Sequence, residues 1–382
     1  MKQNALFFTT TSYGGMGMNS YSVLNTFLPS DNVFYFVVEQ DEGYYHKHIK
    51  VELLPKTKIV HFKPGRLKQL CSLFQDSLPP YYNELLSFCK EKKISVIFQL
   101  SSPSYPRMVT ELKKQGIKYI ANVHDLHPHL ADKAFYKEWK QRVIYNRIYR
   151  CYKLCEGLVT NELGQFEEMQ RLYPNKYYAY HELPTSVTKE IIEGNMIPHE
   201  LKEVNKKFIL FFGRIEGYKG VSLLYNTFLS HHDLNEKYAL VIAGQGDIMF
   251  KRCLCELKKN IYVLNRYIDD AEVRYLYENS ACVVYPYTSI TQTGILSFPF
   301  YFGVPCVTSN LKAFSDKLLG EKLGSMFENG NEDDLYLKIK TILDKDNSNM
   351  IKAQRTFYSE VYENQSFRKP LLELFEKVSI TK

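Results

Sequence analysis

FILFFGRIEGYKGVSLLYNTFL, residues 208–229, decides the fold. FILFF is an uninterrupted apolar run of strand length, the pattern of a strand buried on both faces of a parallel sheet. VSLLYNTFL has the spacing of an amphipathic helix. Between them Gly213, Gly217 and Gly220 punctuate a loop that carries Arg214 and Lys219. Strand, basic loop and helix form a phosphate-binding layout: ligands gather beyond the carboxyl ends of parallel strands, and helix N-termini favour negative charge. Arg214 offers a planar fork of donors and Lys219 a mobile point charge, a pair suited to a diphosphate. Glu216, set between them, supplies the opposing reading of a surface ion pair.

The same rhythm continues outward. YALVIAG, IYVL, ACVVYPY and PCVTS follow as strand-like runs separated by helical segments; ALFFTT, NVFYFVV, KIVHF, SVIFQL and KYIANV precede it over residues 4–125. Such alternation specifies an α/β fold of doubly wound parallel sheets. It restarts near residue 208, and 382 residues exceed the roughly 250–300 at which one core stops growing. Two Rossmann-like domains facing across a cleft are therefore expected, over residues 1–185 and 207–355. Residues 186–206, with Gly194 and Pro198, read as their connection. Residues 356–382 read as a C-terminal helix placed to pack back on the first domain.

Bulk properties exclude several classes. No run of about 18 apolar residues is present, so no transmembrane helix is expected, and MKQNALFFTTTSYGG reads as a first strand and turn rather than a cleavable signal. A cytoplasmic location follows as an expectation. The eight cysteines lack the spacing of a disulfide scaffold or zinc site and read as reduced packing residues; Cys253/Cys255 and Cys151/Cys155 each lack two further ligands nearby. The net charge of +7 is spread without a concentrated basic tract, which argues against nucleic acid as a partner.

Four further segments carry candidate chemistry. In TTTSYGGMGMNS, Gly14, Gly15 and Gly17 follow the first strand and precede a helix, where glycines let backbone amides approach a ligand. Ser20 breaks the dinucleotide fingerprint, and a plain tight turn is the competing reading. In NVHDLHPHL, His124 and Asp125 stand at a strand's carboxyl end, which favours an edge histidine over a metal cluster; His127 and His129 read as polar loop. VIAGQGD brings Gly244 beyond another strand, and NRYIDD brings the backbone of Tyr267 and Ile268 to a helix capped by Asp269 or Asp270. In YPYTSITQTGILSFPFYFG, Gly294 reads as opening a helix that ends near Gly303, with amides around Gln292, Thr293 and Gly294 turned toward the cleft.

In the order GRIEGYKG, IAGQGD, YIDD and YPYTSITQTGILSFPFYFGVPCV, the chain resembles retaining glycosyltransferases of the GT-B fold, family 4 (glycosyl transferases group 1). The likeness is closest over residues 208–310. It implies that Arg214, Lys219 and His124 serve catalysis. It further implies that Gly15, Gly17, Gly213, Glu216, Gly244, Tyr267, Ile268, Gln292, Thr293 and Gly294 bind a nucleotide-sugar donor. The family's two glutamates, eight positions apart, are replaced by Ile290 and Phe298; TQTG is similar to a variant branch with TQSG at this place.

For such an enzyme the resemblance implies front-face substitution with retention, the departing nucleoside diphosphate being stabilised electrostatically without cofactor or metal. The Asp344–Asp346 pair reads as a solvated helix end rather than a metal motif. The acceptor is expected to be a saccharide or lipid-linked glycan of cell-surface polysaccharide synthesis. Residues 133–153, basic with interleaved aromatics, read either as a peripheral contact with an anionic membrane or as an ordinary surface helix. The alternatives are an inactive nucleotide-sugar-binding protein and a GT-B-fold sugar-nucleotide epimerase.

Overall fold

The computed structural model describes residues 3–10, 14–39, 45, 49–62, 76–127, 135–290, 294–363 and 367–380. It divides into two compact units, one of residues 1–184 with 365–382 and one of residues 185–364.

The first unit is built on seven parallel strands: β1 (Asn4–Thr9), β2 (Val33–Glu39), β3 (Thr57–His61), β4 (Ile94–Gln99), β5 (Lys118–Val123), β6 (Gly157–Thr160) and β7 (Tyr177–Tyr180). Their order is β3-β2-β1-β4-β5-β6-β7, so the winding reverses between β1 and β4. Side chains alternate across the sheet as strand geometry requires. Leu6 and Phe8 enter the core on one face, while Ala5 and Phe7 enter the other. That second face is closed by the helix Arg368–Ile380, which buries Leu371, Leu374, Phe375 and Val378 there. Phe375 meets the Phe7 and Phe98 rings at 5.5 and 5.9 Å. An Arg368–Asp31 ion pair at 2.6 Å fixes the helix start.

The second unit has six parallel strands: β8 (Phe208–Phe212), β9 (Ala239–Ala243), β10 (Ile261–Leu264), β11 (Ser280–Tyr285), β12 (Cys306–Ser309) and β13 (Ser325–Phe327). Their order β10-β9-β8-β11-β12-β13 places the reversal between β8 and β11. β8 and β9 are buried along nearly their whole length, as central parallel strands must be. Residues 186–206 count with this unit; they hold a short helix, Lys189–Glu193, capped by Thr188.

Two local expectations change. Gly14, Gly15 and Gly17 lie in the first turn of the helix Gly14–Leu24 rather than in a loop before it. Cys253 and Cys255 form a disulfide, because the local turn brings their Cα atoms to 5.2 Å. Cys89, Cys151, Cys155, Cys282 and Cys306 are free and buried, as packing residues are. In the helix Phe135–Leu154 the apolar stripe of Ile148, Cys151 and Tyr152 enters the core, while Trp139 stays exposed. Among the described residues no helix is long and apolar enough to cross a membrane.

Candidate functional site

The strand order of the second sheet reverses between β8 and β11, and the carboxyl ends at such a reversal are where doubly wound sheets bind ligands. Residues 213–220 leave β8 at that point. Their first half stays zipped to the segment after β9: Gly213 N–H donates to Ala243 O, Ile215 N–H to Gln245 O, and Asp247 N–H to Ile215 O, all at 3.0–3.1 Å. A side chain at Gly244 would place its Cβ 1.9 Å from Gly213 O, and one at Gly246 would lie 1.9 Å from Ile215 O. IAGQGD therefore owes its glycines to two backbones running in contact.

The loop's second half is a single 3₁₀ turn, Gly217–Lys219, ended by Gly220 in the left-handed region (φ +64°). From Gly220 the helix Val221–Ser230 begins. A Cβ on Gly220 would come within 1.8 Å of Pro286 O, so the loop lies hard against the segment leaving β11. Thr288 N–H, in that segment, donates to Tyr218 O at 2.8 Å.

The two cations of this loop differ in setting. Arg214 is exposed and pairs with Glu216 at 2.6 Å, the ion pair that the sequence offered as the opposing reading. Lys219 is half-buried; its ammonium lies 3.9 Å from the Tyr287 ring centroid and 5.0 Å from that of Tyr218. Burial pushes the Lys219 ammonium down to about 8, against the opposing pull of Glu216.

Beyond β10, Tyr267 is exposed and Ile268 buried. Asp269 caps the helix Asp270–Glu278 through a capping box with Glu272. Arg266 bridges Glu200 and Glu272, at 2.8 Å to each. Gln292 and Thr293 lie outside the described residues. Gly294 does not open a helix: the helix is Ser297–Phe302, and Gly294 O accepts from the Ser297 backbone and hydroxyl at 3.1 and 2.7 Å. Phe298 is buried, its ring 5.3 Å from Phe212 and 5.4 Å from Tyr277. An apolar contact with β8 thus occupies one of the two positions where the resemblance implies glutamate.

This unit's architecture and its basic loop meet in one sequence signature. Residues 194–357 match the family of glycosyl transferases group 1. No curated protein sequence matches the chain. Solved structures resemble it over its full length. Anabaena HepE in complex with UDP and glucose aligns with TM-score 0.70 at 11% identity, covering 98% of this chain and 100% of that one. Sucrose-phosphate synthase from Thermosynechococcus elongatus aligns with TM-score 0.67 at 13% identity, covering 98% and 100%. A Staphylococcus aureus TarM mutant in complex with fondaparinux, α-GlcNAc-glycerol and UDP aligns with TM-score 0.66 at 13% identity, covering 99% and 100%. At these identities the likeness establishes the two-domain α/β fold of GT-B glycosyltransferases.

Outside the segment matching glycosyl transferases group 1, the first unit gathers polar groups at the ends of β4 to β7. His124 is buried, with Nε2 2.5 Å from Leu100 O and 3.1 Å from Asn122 Nδ2. Burial lowers its pKa, opposed by the Leu100 carbonyl and Asp125, so the imidazole is held neutral. His181, two strands further, is likewise buried beside Asn161 and pushed down to about 4. Sequence reasoning missed His181 and Asn161, since both follow strands of four residues. His127 is exposed and pairs with Glu168 at 3.1 Å; His129 lies outside the described residues. Among the described residues no cluster of three potential metal ligands occurs.

Proposed function

We propose that the chain is a retaining glycosyltransferase of family 4, in the variant branch marked by TQTG. It moves a sugar from a nucleotide-sugar donor to a glycan or lipid-linked saccharide in cell-surface polysaccharide synthesis. The observation that carries this reading is Lys219 at the β8/β11 reversal, inside a segment matching glycosyl transferases group 1. HepE and TarM structures with UDP support a nucleoside diphosphate as the leaving group.

In this reading Lys219 and Arg214 stabilise the charge that develops on the departing diphosphate, an electrostatic contribution that needs no metal or cofactor. Arg214 exchanges Glu216 for a phosphate oxygen. The loops at Gly213, Gly244, Tyr267 and Ile268 border the donor, the amides of Gln292, Thr293 and Gly294 bind its distal phosphate, and Glu216 and Gln292 take hydroxyls of ribose and sugar. His124 and the turn at Gly15 and Gly17 serve the reacting sugar. The protein works in the cytoplasm, and the basic face of residues 133–153 rests on an anionic membrane where the acceptor is lipid-linked.

The test is thermal stabilisation by UDP-, GDP- and ADP-sugars, followed by release of nucleoside diphosphate in the presence of a cell-derived glycan pool. Binding with release establishes transfer. Binding without release selects the inactive nucleotide-sugar-binding protein, a reading that the apolar Ile290 and Phe298 favour.

A further inference from the structure

Lys219 does not extend freely from its loop. Its ammonium stands between two aromatic rings, 3.9 Å from the Tyr287 centroid and 5.0 Å from the Tyr218 centroid. The rings themselves meet edge to face at 6.2 Å. Tyr287 is fully buried, Tyr218 half exposed, so the rings form an inner and an outer wall. Both walls are fixed by backbone. Ser309 Oγ donates to Tyr287 O at 2.6 Å, Thr288 N–H donates to Tyr218 O at 2.8 Å, and Gly220 admits the Pro286 carbonyl where any side chain would collide. The Phe314 ring packs against Tyr287 at 5.3 Å from behind.

The Tyr287 hydroxyl is buried and makes no hydrogen bond among the described residues. A buried hydroxyl with no partner costs free energy, so what the site uses from Tyr287 is its ring face. A cation over an aromatic face is attracted by the ring quadrupole, most strongly where water is excluded. Lysine otherwise pivots on four single bonds, and holding it in advance reduces the ordering cost of binding an anion.

We propose that Tyr287 and Tyr218 are positioning residues: they form an aromatic seat that holds the Lys219 ammonium at the strand ends, ready for the diphosphate of a nucleotide sugar. This rests on the donor-binding reading above. The seat acts on the phosphates alone, so it changes the affinity for a nucleoside diphosphate relative to the bare nucleoside.

The experiment compares wild type with Tyr287→Leu, Tyr287→Phe and Tyr218→Leu, using UDP, GDP and ADP and the three nucleosides as probes. Selective ¹³C labelling of lysine reads the ring-current shift of the Lys219 ε-methylene in the free protein. The expected result is an upfield shift in wild type and Tyr287→Phe that is reduced in both leucine variants. The diphosphate-to-nucleoside affinity ratio should fall about tenfold in Tyr287→Leu, with nucleoside affinity unchanged and Tyr287→Phe close to wild type. Tyr218→Leu removes an exposed ring and leaves the core intact, so a folding defect in Tyr287→Leu does not decide the matter. An unchanged ratio in both leucine variants overturns the seat while leaving donor binding in place. A wild-type protein that shows the ring-current shift but binds no diphosphate overturns the functional reading and the positioning role with it.

Discussion

If Lys219 holds the donor diphosphate as proposed, donor binding is pH-dependent with a calculable window. Burial disfavours the charged form of Lys219 and pushes the ammonium down to about 8 from an ordinary value of 10.5. Glu216 opposes that shift and Arg214 adds to it; the Tyr218 and Tyr287 rings lie beside the group. With a pKa of about 8, the charged fraction falls from roughly nine-tenths at pH 7 to roughly one-tenth at pH 9. If only the ammonium form holds a diphosphate, affinity falls about tenfold across that interval, and binding takes up a proton above pH 8. Stability of the unliganded fold moves the other way. A lysine whose folded pKa is depressed penalises folding below about 8 and relieves the penalty as pH rises toward its unfolded value. Calorimetric titration of UDP from pH 6.5 to 9.5 in two buffers of different ionisation enthalpy measures both affinity and proton uptake. Lys219→Arg, charged throughout, should bind with a flat profile and no linked proton. Parallel loss of affinity in wild type and Lys219→Arg, with equal proton uptake, would refute the assignment of the transition to Lys219.

Two further predictions concern the scaffold. Gly244→Ala sets a Cβ 1.9 Å from Gly213 O at a residue with φ +150°, so it should cost about 3–5 kcal/mol in denaturant unfolding and displace the Gly213–Glu216 loop. Phe375→Ala removes a fully buried ring from the sheet face of the first unit and should cost about 3–5 kcal/mol, with donor affinity as the control that stays constant.

The strands β1–β5 and β8–β12 were legible because buried parallel strands appear as continuous apolar runs closed by glycine or polar residues. β6, β7 and β13 were not, at four, four and three residues with little pattern to read. The strand, loop and helix around GRIEGYKG were readable from the apolar runs and glycine spacing alone. The loop's aromatic walls were not, because Tyr287 follows a different strand, β11, and only the β8/β11 adjacency brings it to Lys219. The glycines of IAGQGD were open to a donor approach or a structural turn from the sequence, and three dimensions add that they admit the protein's own backbone at Gly213 and Ile215. The cysteine pattern gave no sign of the Cys253–Cys255 bond, which depends on a local turn rather than on spacing statistics. Phe298 was visible as a missing glutamate, but its packing on Phe212 emerges only in three dimensions.

The helix Arg368–Ile380 gives the first unit a discontinuous chain, and this imposes an order on synthesis. When β7 leaves the ribosome, the sheet face of Ala5, Phe7, Val96 and Phe98 still lacks the cover that Leu371, Leu374, Phe375 and Val378 provide. The whole second unit must be translated first, on the order of 10–40 s at about 5–20 residues per second. During that interval the earlier half waits with an apolar surface open, while the later half has every strand it needs to close its own core. The N-terminal domain, first to be made, is the last to be completed.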